Sequence, residues 1–262
     1  MKQRPRILLT NDDGIRAPGL KHLWSGLKDY ADLYVVAPLI EQSAVGLGIT
    51  IRAPLHIEEA EWFGHTPAWS VTGTPADCVK MALSVLLPSP PDLIISGINR
   101  GSNAGRNLLY SGTVGGVIEG VLRGIPGIAV SSVDMQKPNY EIAEKHLMKF
   151  AQYMLETPLP QGTLLNVNFP STLPGVKGIR FARQGKGYWM EAPDKRCHPF
   201  GAAYYWLGAK HADFEEEVDS DMALLAQGYA AAVPVHVGEL TDHAHLHASR
   251  DNFDKFFYSE EN

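Results

Sequence analysis

Short apolar runs, each followed by a polar or glycine-containing loop, constrain the fold of this chain more than any other feature. The runs lie at residues 6–10, 33–37, 93–96, 128–131 and 164–168. Helical patterns separate them, and the clearest of these covers about Tyr140 to Leu155. Parallel strands need such crossovers and are apolar because both faces of their sheet are covered. The alternation predicts an α/β fold with a mostly parallel sheet and helices on both faces.

The segment 183–217 breaks this alternation. It has no regular strand–helix rhythm, and it carries a cluster of aromatic residues among glycines, namely Tyr188, Trp189, Tyr204, Tyr205 and Trp206. Such a segment predicts a β-hairpin extension whose rings need a packing partner, such as another subunit. A short helix at 219–226 and a last strand at 229–237 are predicted after it. The alternating histidines 243, 245 and 247 are interpreted as a solvated tail.

Composition excludes several classes of protein. The 262 residues include 23 Lys and Arg against 29 Asp and Glu, a net charge of −6, so we expect no nucleic-acid polymer as a partner. No apolar run approaches the length of a membrane span. The two cysteines, Cys78 and Cys197, exclude a disulfide scaffold and a cysteine-type metal site. We therefore expect a cytoplasmic protein with no membrane association.

Two adjacent carboxylates follow the first predicted strand, in the turn Asn11-Asp12-Asp13-Gly14. Ligands of open α/β sheets bind at this edge, outside the carboxyl ends of the strands. A turn with up to two negative charges repels a bare phosphate but holds a hard divalent cation, to which phosphate can bind. One aspartate would suffice for a helix cap or an Asx-turn. The repulsion between two favours a metal site.

Two further loops follow predicted strands and should converge on the same edge. Together with the acidic turn, they contribute an oxygen-rich set without histidine or cysteine, consisting of Asp12, Asp13, Ser43, Asn99, Asn103, Ser111 and Thr113. Such ligands favour Mg²⁺ or Mn²⁺ over Zn²⁺. Ser111-Gly112-Thr113 precedes a predicted helix at 113–123. Its hydroxyl and N–H groups could bind an anion or simply cap the helix, and the sequence supports both interpretations equally.

Several motifs of the first half and one later motif carry a family resemblance. They are Leu8-Leu9-Thr10-Asn11-Asp12-Asp13-Gly14, Val36-Ala37-Pro38 with Gln42-Ser43, Gly73-Thr74-Pro75-Ala76-Asp77-Cys78-Val79, Ser96-Gly97-Ile98-Asn99-Arg100-Gly101, Tyr110-Ser111-Gly112-Thr113-Val114 and Asn166-Val167-Asn168-Phe169-Pro170. Each is weak alone, but their order makes them specific. The chain resembles SurE, the survival-protein E family of metal-dependent 5′/3′-nucleotidases. One difference is Leu39-Ile40, where the family usually has an acidic and then a basic residue.

The resemblance implies a role for each candidate residue. It implies one divalent ion per subunit, Mg²⁺ or Mn²⁺, held by Asp12, Asp13, Ser43 and Asn99, with the two aspartates also catalytic. It places the substrate phosphate at Asn103, Ser111, Gly112 and Thr113. It also implies a single Rossmann-like domain over residues 1–262, in which the extension 183–217 serves a homodimer or homotetramer.

The expected reaction is hydrolysis of nucleoside 5′- and 3′-monophosphates, which are small-molecule substrates. A bound cation would neutralise charge and lower the pKa of a water molecule, and one of the two aspartates would take the proton. Two alternatives remain open. One is a non-hydrolytic regulatory protein that binds a metal and a nucleotide, and the other is a Rossmann-like transferase that uses a sugar nucleotide.

Overall fold

A computed structural model of the chain describes residues 4–170, 175–212 and 214–258. Its strands are β1 (Arg6–Thr10), β2 (Asp32–Pro38), β3 (Ile57–Glu59), β4 (Ala68–Val71), β5 (Leu93–Arg100), β6 (Gly127–Ser132), β7 (Thr163–Phe169), β8 (Ile179–Phe181), β9 (Tyr188–Met190), β10 (Asp194–Cys197), β11 (Ala203–Trp206), β12 (Lys210–Ala212) and β13 (Ala230–His236). Its α-helices are α1 (Pro18–Ser25), α2 (Pro75–Met81), α3 (Gly112–Val121), α4 (Tyr140–Glu156), α5 (Asp221–Ala226) and α6 (His243–Tyr258). No helix in these described ranges is both long enough and apolar enough to cross a bilayer.

Nine of the described strands form one central sheet, in the order β3-β4-β2-β1-β5-β6-β7-β13-β8. Neighbouring strands are parallel except in the pairs β3–β4 and β7–β13. The strand order reverses around β1, so that β1 lies between β2 and β5. The loops after β1, β2 and β5 therefore leave the sheet side by side at its carboxyl edge, where open α/β sheets bind ligands. The predicted α/β fold with a mostly parallel sheet is confirmed.

Both faces of the sheet are covered by helices. On β1, Ile7 and Leu9 share one buried core with α1 and α4, whereas Leu8 belongs to a second core with α2. This alternation follows from the two-residue period of a strand. The helix α3 packs beside α2 and covers β5, β6 and β7. Because apolar side chains are buried on both faces, the central strands are apolar along most of their length.

The starts of α2 and α3 are specified locally. Thr74 caps α2, because its hydroxyl accepts from the N–H of Asp77 at 3.1 Å and the Asp77 carboxylate accepts from the N–H of Thr74 at 2.9 Å. Ser111 caps α3 by accepting from the N–H of Val114 at 3.2 Å. The capping interpretation of Ser111 is thus confirmed, and α3 begins one residue before the predicted helix start.

The aromatic segment contains a hairpin arm, which is the segment Tyr188–Ala212. In this arm β9 pairs with β12 and β10 pairs with β11, both antiparallel. Its hairpin form agrees with the sequence prediction, whereas its use in oligomerisation remains a prediction. The three histidines predicted to lie in a solvated tail, His243, His245 and His247, are exposed as expected, and they belong to the helix α6. None of the α6 residues is buried, although Leu246, Phe253 and Phe257 recur at helical spacing in the sequence.

Candidate functional site

The acidic turn after β1 is held by hydrogen bonds on both sides. The Asn11 side chain donates to the carbonyl of Gly14 at 3.0 Å, and Gly14 has a φ of +100°, which favours glycine. The N–H of Ile15 donates to the carbonyl of Pro38 at 2.8 Å, and the N–H of Gln42 donates to the carbonyl of Asp12 at 2.7 Å. The turn is therefore tied to the loop after β2.

Asp12 is buried, with 5% of its surface exposed. Its carboxylate accepts a hydrogen bond of 2.6 Å from the Thr113 hydroxyl in the first turn of α3. Burial raises the pKa of Asp12 to about 6, although the bond from Thr113 acts in the opposite direction, and the charge of Asp13 raises the pKa further. A bound cation would remove this penalty on the charged form.

Asp13 is partly exposed, and its carboxylate accepts from the N–H of Arg100 at 3.1 Å. Burial raises its pKa, while the Arg100 hydrogen bond and charge lower it. Tyr140 lies near enough to respond: burial first, and then the Asp13 charge, raise the pKa of this phenol to about 12. Asp13 thus keeps access to solvent while its position is fixed from the end of β5.

Asn99 and Ser43 occupy different environments. Asn99, near the end of β5, is 9% exposed, and its amide nitrogen donates to the carbonyl of Gly101 at 3.0 Å. This leaves its amide oxygen as the atom suited to a cation. Ser43 follows Gln42, the residue bonded to Asp12, but its exposed hydroxyl donates to Glu41 at 2.6 Å. Asn99 is therefore the better oriented of the two candidate ligands.

The phosphate-side candidates form one network with Asp12. The Asn103 amide donates to the Ser131 hydroxyl at 2.8 Å and to the Thr113 hydroxyl at 3.3 Å, and Thr113 donates in turn to Asp12. A side chain at Gly112 would put its Cβ only 2.8 Å from the Asp12 Cβ and 3.1 Å from the Gln42 carbonyl oxygen. The backbone at the start of α3 therefore lies directly against the acidic turn.

The donor set fits a hard divalent cation. It offers two carboxylates, one of them buried, and an amide oxygen, which are the ligand types that Mg²⁺ and Mn²⁺ prefer. Across residues 4–170, 175–212 and 214–258, no three His, Cys, Asp or Glu side chains cluster as metal ligands. A cation at Asp12 and Asp13 would therefore complete its shell with amide or hydroxyl oxygens, water or substrate.

Comparison with known proteins identifies the family of this chain. The model of the family described as survival protein SurE matches residues 7–191. The chain belongs to the SurE family. A protein of Protochlamydia amoebophila named 5′-nucleotidase SurE is 53% identical over 259 residues, which cover 98% of this chain and 99% of that protein. One of the same name from Moorella thermoacetica is 43% identical, with 91% and 92% covered.

A solved structure supports the same assignment at the level of the fold. The crystal structure of the SurE protein from Aquifex aeolicus is similar to this chain with a TM-score of 0.83 and 36% identity. The similarity covers 95% of this chain and all of the other. The SurE family model includes every candidate site residue from Asp12 to Thr113.

The sequence interpretation missed several neighbours of the SurE-type site. The Arg100 guanidinium forms an ion pair with Glu41 at 3.6 Å, which links the loop after β2 to β5 beside Asp13. Arg100 directly follows Asn99 and could have been included as the cation of that motif. Ser131 and Tyr140 carry no such signal, because they reach the site only through the pairing of β5 with β6 and the packing of α4.

Proposed function

We propose that this chain is a metal-dependent phosphomonoesterase that hydrolyses nucleoside 5′-monophosphates, and also 3′-monophosphates, at the Asp12–Asp13 site. The names of the SurE relatives support nucleotidase chemistry. The observation that carries the proposal is the 2.6 Å hydrogen bond between Thr113 and Asp12. It joins a carboxylate suited to a cation with a helix start suited to phosphate.

Asp12, Asp13 and Asn99, with Ser43 beside them, would hold one Mg²⁺ or Mn²⁺. Such an ion supplies neutralisation of phosphoryl charge and a lower pKa for a bound water. The chain itself supplies the positions: Asp12 is fixed by Thr113, and Asp13 is fixed by the N–H of Arg100. One of the two aspartates takes the proton of the attacking water, in general base catalysis.

The start of α3 would receive the phosphoryl oxygens. The first N–H groups of an α-helix have no partner within the helix, and the helix dipole favours an anion there. Gly112 permits a close approach because it has no side chain, and Thr113 and Asn103 add a hydroxyl and an amide. Ser111 fixes the first turn through Val114. These fixed groups would orient the phosphate and stabilise the charge of the transition state.

We further propose a single domain whose extension, residues 183–217, joins subunits into a homodimer or a homotetramer. The exposed aromatic side chains of the hairpin arm support this, because Tyr205 and Trp206 are 62% and 66% exposed. A cytoplasmic location is supported by the free thiols of Cys78 and Cys197, since reducing compartments keep cysteines unpaired.

Release of inorganic phosphate tests the proposal. The purified chain, freed of metal by a chelator, is supplied with Mg²⁺ or Mn²⁺ and a panel of nucleoside 5′- and 3′-monophosphates. The proposal expects turnover that requires the added cation. Metal binding with no phosphate release from any substrate would favour a regulatory binding protein, and turnover only with a sugar nucleotide and an acceptor would favour a transferase.

Thr113→Ala separates the two parts of the site. Loss of the hydroxyl should lower kcat/KM about tenfold by weakening phosphate handling, with a smaller effect on metal affinity. Thr113→Ser keeps the hydroxyl and is the matched control. Equal losses of phosphate and metal affinity in Thr113→Ala would contradict the assigned role.

A further inference from the structure

Three fully buried polar side chains surround Asn103 without belonging to the set of residues assigned to metal or phosphate. They are Ser131, Asn166 and Asn168, and each has 0% of its surface exposed. The two asparagines lie two residues apart on β7 and therefore point to the same face of the sheet. On the neighbouring strand β6, Ser131 is the register partner of Asn168.

These side chains bind the backbone N–H, the backbone carbonyl and the side-chain nitrogen of Asn103. The Asn168 side-chain oxygen accepts from the backbone N–H of Asn103 at 2.9 Å, and the Asn166 amide donates to the backbone carbonyl of Asn103 at 2.9 Å. The Ser131 hydroxyl accepts from the Asn103 side-chain amide at 2.8 Å. One loop residue is thus held at its donor, its acceptor and its side chain from two adjacent strands.

The same loop is held again two residues later. Asp221, at the start of α5, has no exposed surface, and its carboxylate accepts from the N–H of Gly105 at 2.9 Å and from the N–H of Gly185 at 2.9 Å. Residues 103–105 are therefore anchored to the interior of the sheet and to the second half of the chain. The loop that carries Asn103 is therefore held by β7 at Asn103 and by the start of α5 at Gly105.

Buried amides are a costly way to fill the interior of a sheet. Apolar side chains fill the intervening positions of β7, including Leu165 and Val167, and burying a polar group is unfavourable unless its hydrogen bonds are made. One side-chain atom of each asparagine has no partner in the described structure, Asn166 Oδ1 and Asn168 Nδ2. Among the described hydrogen bonds, those to Asn103 are therefore the ones that link Asn166 and Asn168 to the site.

We propose that Asn166, Asn168 and Ser131 are positioning residues that fix the Asn103 amide against Thr113 and so set the geometry of the phosphate subsite. They act through Asn103 and do not touch the substrate. The inference rests on the proposed function, because it assigns Asn103 to phosphate. It adds that the subsite is set from β6 and β7, which lie beyond the strands that carry the metal ligands.

Substitutions at Asn168 test the hydrogen bond directly. Asn168→Leu removes the acceptor for the Asn103 N–H, whereas Asn168→Asp keeps an acceptor oxygen in a side chain of nearly equal size. We expect Asn168→Leu to lower kcat/KM and the affinity for inorganic phosphate about tenfold or more, with the Mn²⁺ affinity within about threefold of wild type. Asn168→Asp should restore most of the phosphate affinity.

Two further variants keep the test decisive. Ser131→Ala removes the side-chain anchor with little change in volume and should reproduce the loss of phosphate affinity, even if Asn168→Leu folds poorly. Met154→Ala, in the buried face of α4, is the control for lost stability alone and should leave kcat/KM unchanged at a temperature where it is folded. Equal impairment of Asn168→Asp and Asn168→Leu, or a loss of kcat/KM in Met154→Ala, would overturn the proposal.

A second measurement separates this inference from the proposed function. Hydrogen exchange of the Asn103 backbone amide, followed by NMR, requires no catalysis. We expect faster exchange in Asn168→Leu and wild-type protection in Asn168→Asp. If the wild type releases no phosphate, the proposed function fails, and this exchange pattern still decides whether the β7 side chains position the loop. Equal exchange rates in both variants would overturn that role.

Discussion

The carboxyl edge of the central sheet and the hairpin arm differ in the burial of their characteristic side chains. At the sheet edge, polar groups such as Asp12 and Asn103 are buried and bonded to other parts of the same chain. In the arm, Tyr205 and Trp206 are exposed. This difference supports the proposals that the chemistry is set within one chain and that the exposed apolar surface of the arm serves the assembly.

The strongest test of this comparison removes a metal-side charge. Asp12→Asn or Asp13→Asn should each lower kcat/KM at least ~100-fold, because a neutral amide binds a divalent cation more weakly than a carboxylate does. The fold should be retained, as measured by circular dichroism and thermal unfolding. Near-normal turnover in both variants would remove the metal-site assignment.

A change of one methyl group tests the close contact at α3. Gly112→Ala places a Cβ 2.8 Å from that of Asp12, so the helix start or the acidic turn must shift. We expect kcat/KM to fall about 10- to 100-fold, since small displacements of reacting groups are costly. Gly175→Ala is the matched control, because a Cβ there meets nothing within 4 Å. Equal activity of the two variants would contradict a tight contact.

The hydrogen bonds of buried Asp77, in the first half of the chain, should make the free energy of unfolding depend on pH. Burial raises the pKa of Asp77, but hydrogen bonds from Thr50 and Thr74 outweigh it and hold that pKa below its usual value. The stabilisation is therefore present above the unfolded-state pKa and is lost as the pH falls through the folded-state value.

Asp77→Asn measures that contribution. The variant should lower the free energy of unfolding by about 1–2 kcal/mol at pH 7, where the carboxylate accepts its full set of bonds. The difference from wild type should shrink as the pH falls below about 4, where the unfolded chain begins to take up a proton at Asp77, and should vanish below the folded-state pKa, where Asp77 is neutral in both states. Urea unfolding at several pH values gives the curve. A difference that is constant with pH would refute the electrostatic part of this account.

The smallest effect on activity is expected in the arm. Tyr205→Ser with Trp206→Ser should leave kcat/KM per chain within about twofold of wild type, because these exposed side chains lie on β11 of the arm and not in the site-forming loops. Sedimentation should show a shift to smaller species. A large loss of activity in the smaller species would contradict a site set within one chain, because the site would then depend on the assembly.

The predictions from sequence succeeded where the signal is local. The strand β1 with its acidic turn and, separately, the α3 cap are each encoded within one short segment. The loops after β1, β2 and β5 converge because parallel strands share one carboxyl edge. Asn166 and Asn168 were visible only as part of a family motif. Their link to Asn103 depends on the pairing of β6 with β7, which no single segment encodes.

Two further features were missed although their signals lie close together along the chain. The helix α6 was interpreted as a tail from its histidines, although Leu246, Phe253 and Phe257 recur at helical spacing. Ser43 was placed near the metal by its position after β2, whereas its hydroxyl direction is set by the neighbouring Glu41.

The most direct test of the central claim is a crystal structure of the protein grown with Mn²⁺ and a phosphate analogue, with the ion located by anomalous scattering. We predict one Mn²⁺ per chain, coordinated by Asp12, Asp13 and Asn99. It also predicts the analogue between that ion and the start of α3, within hydrogen-bond distance of Thr113. An ion bound elsewhere, or an analogue bound away from Asn103 and Thr113, would contradict it.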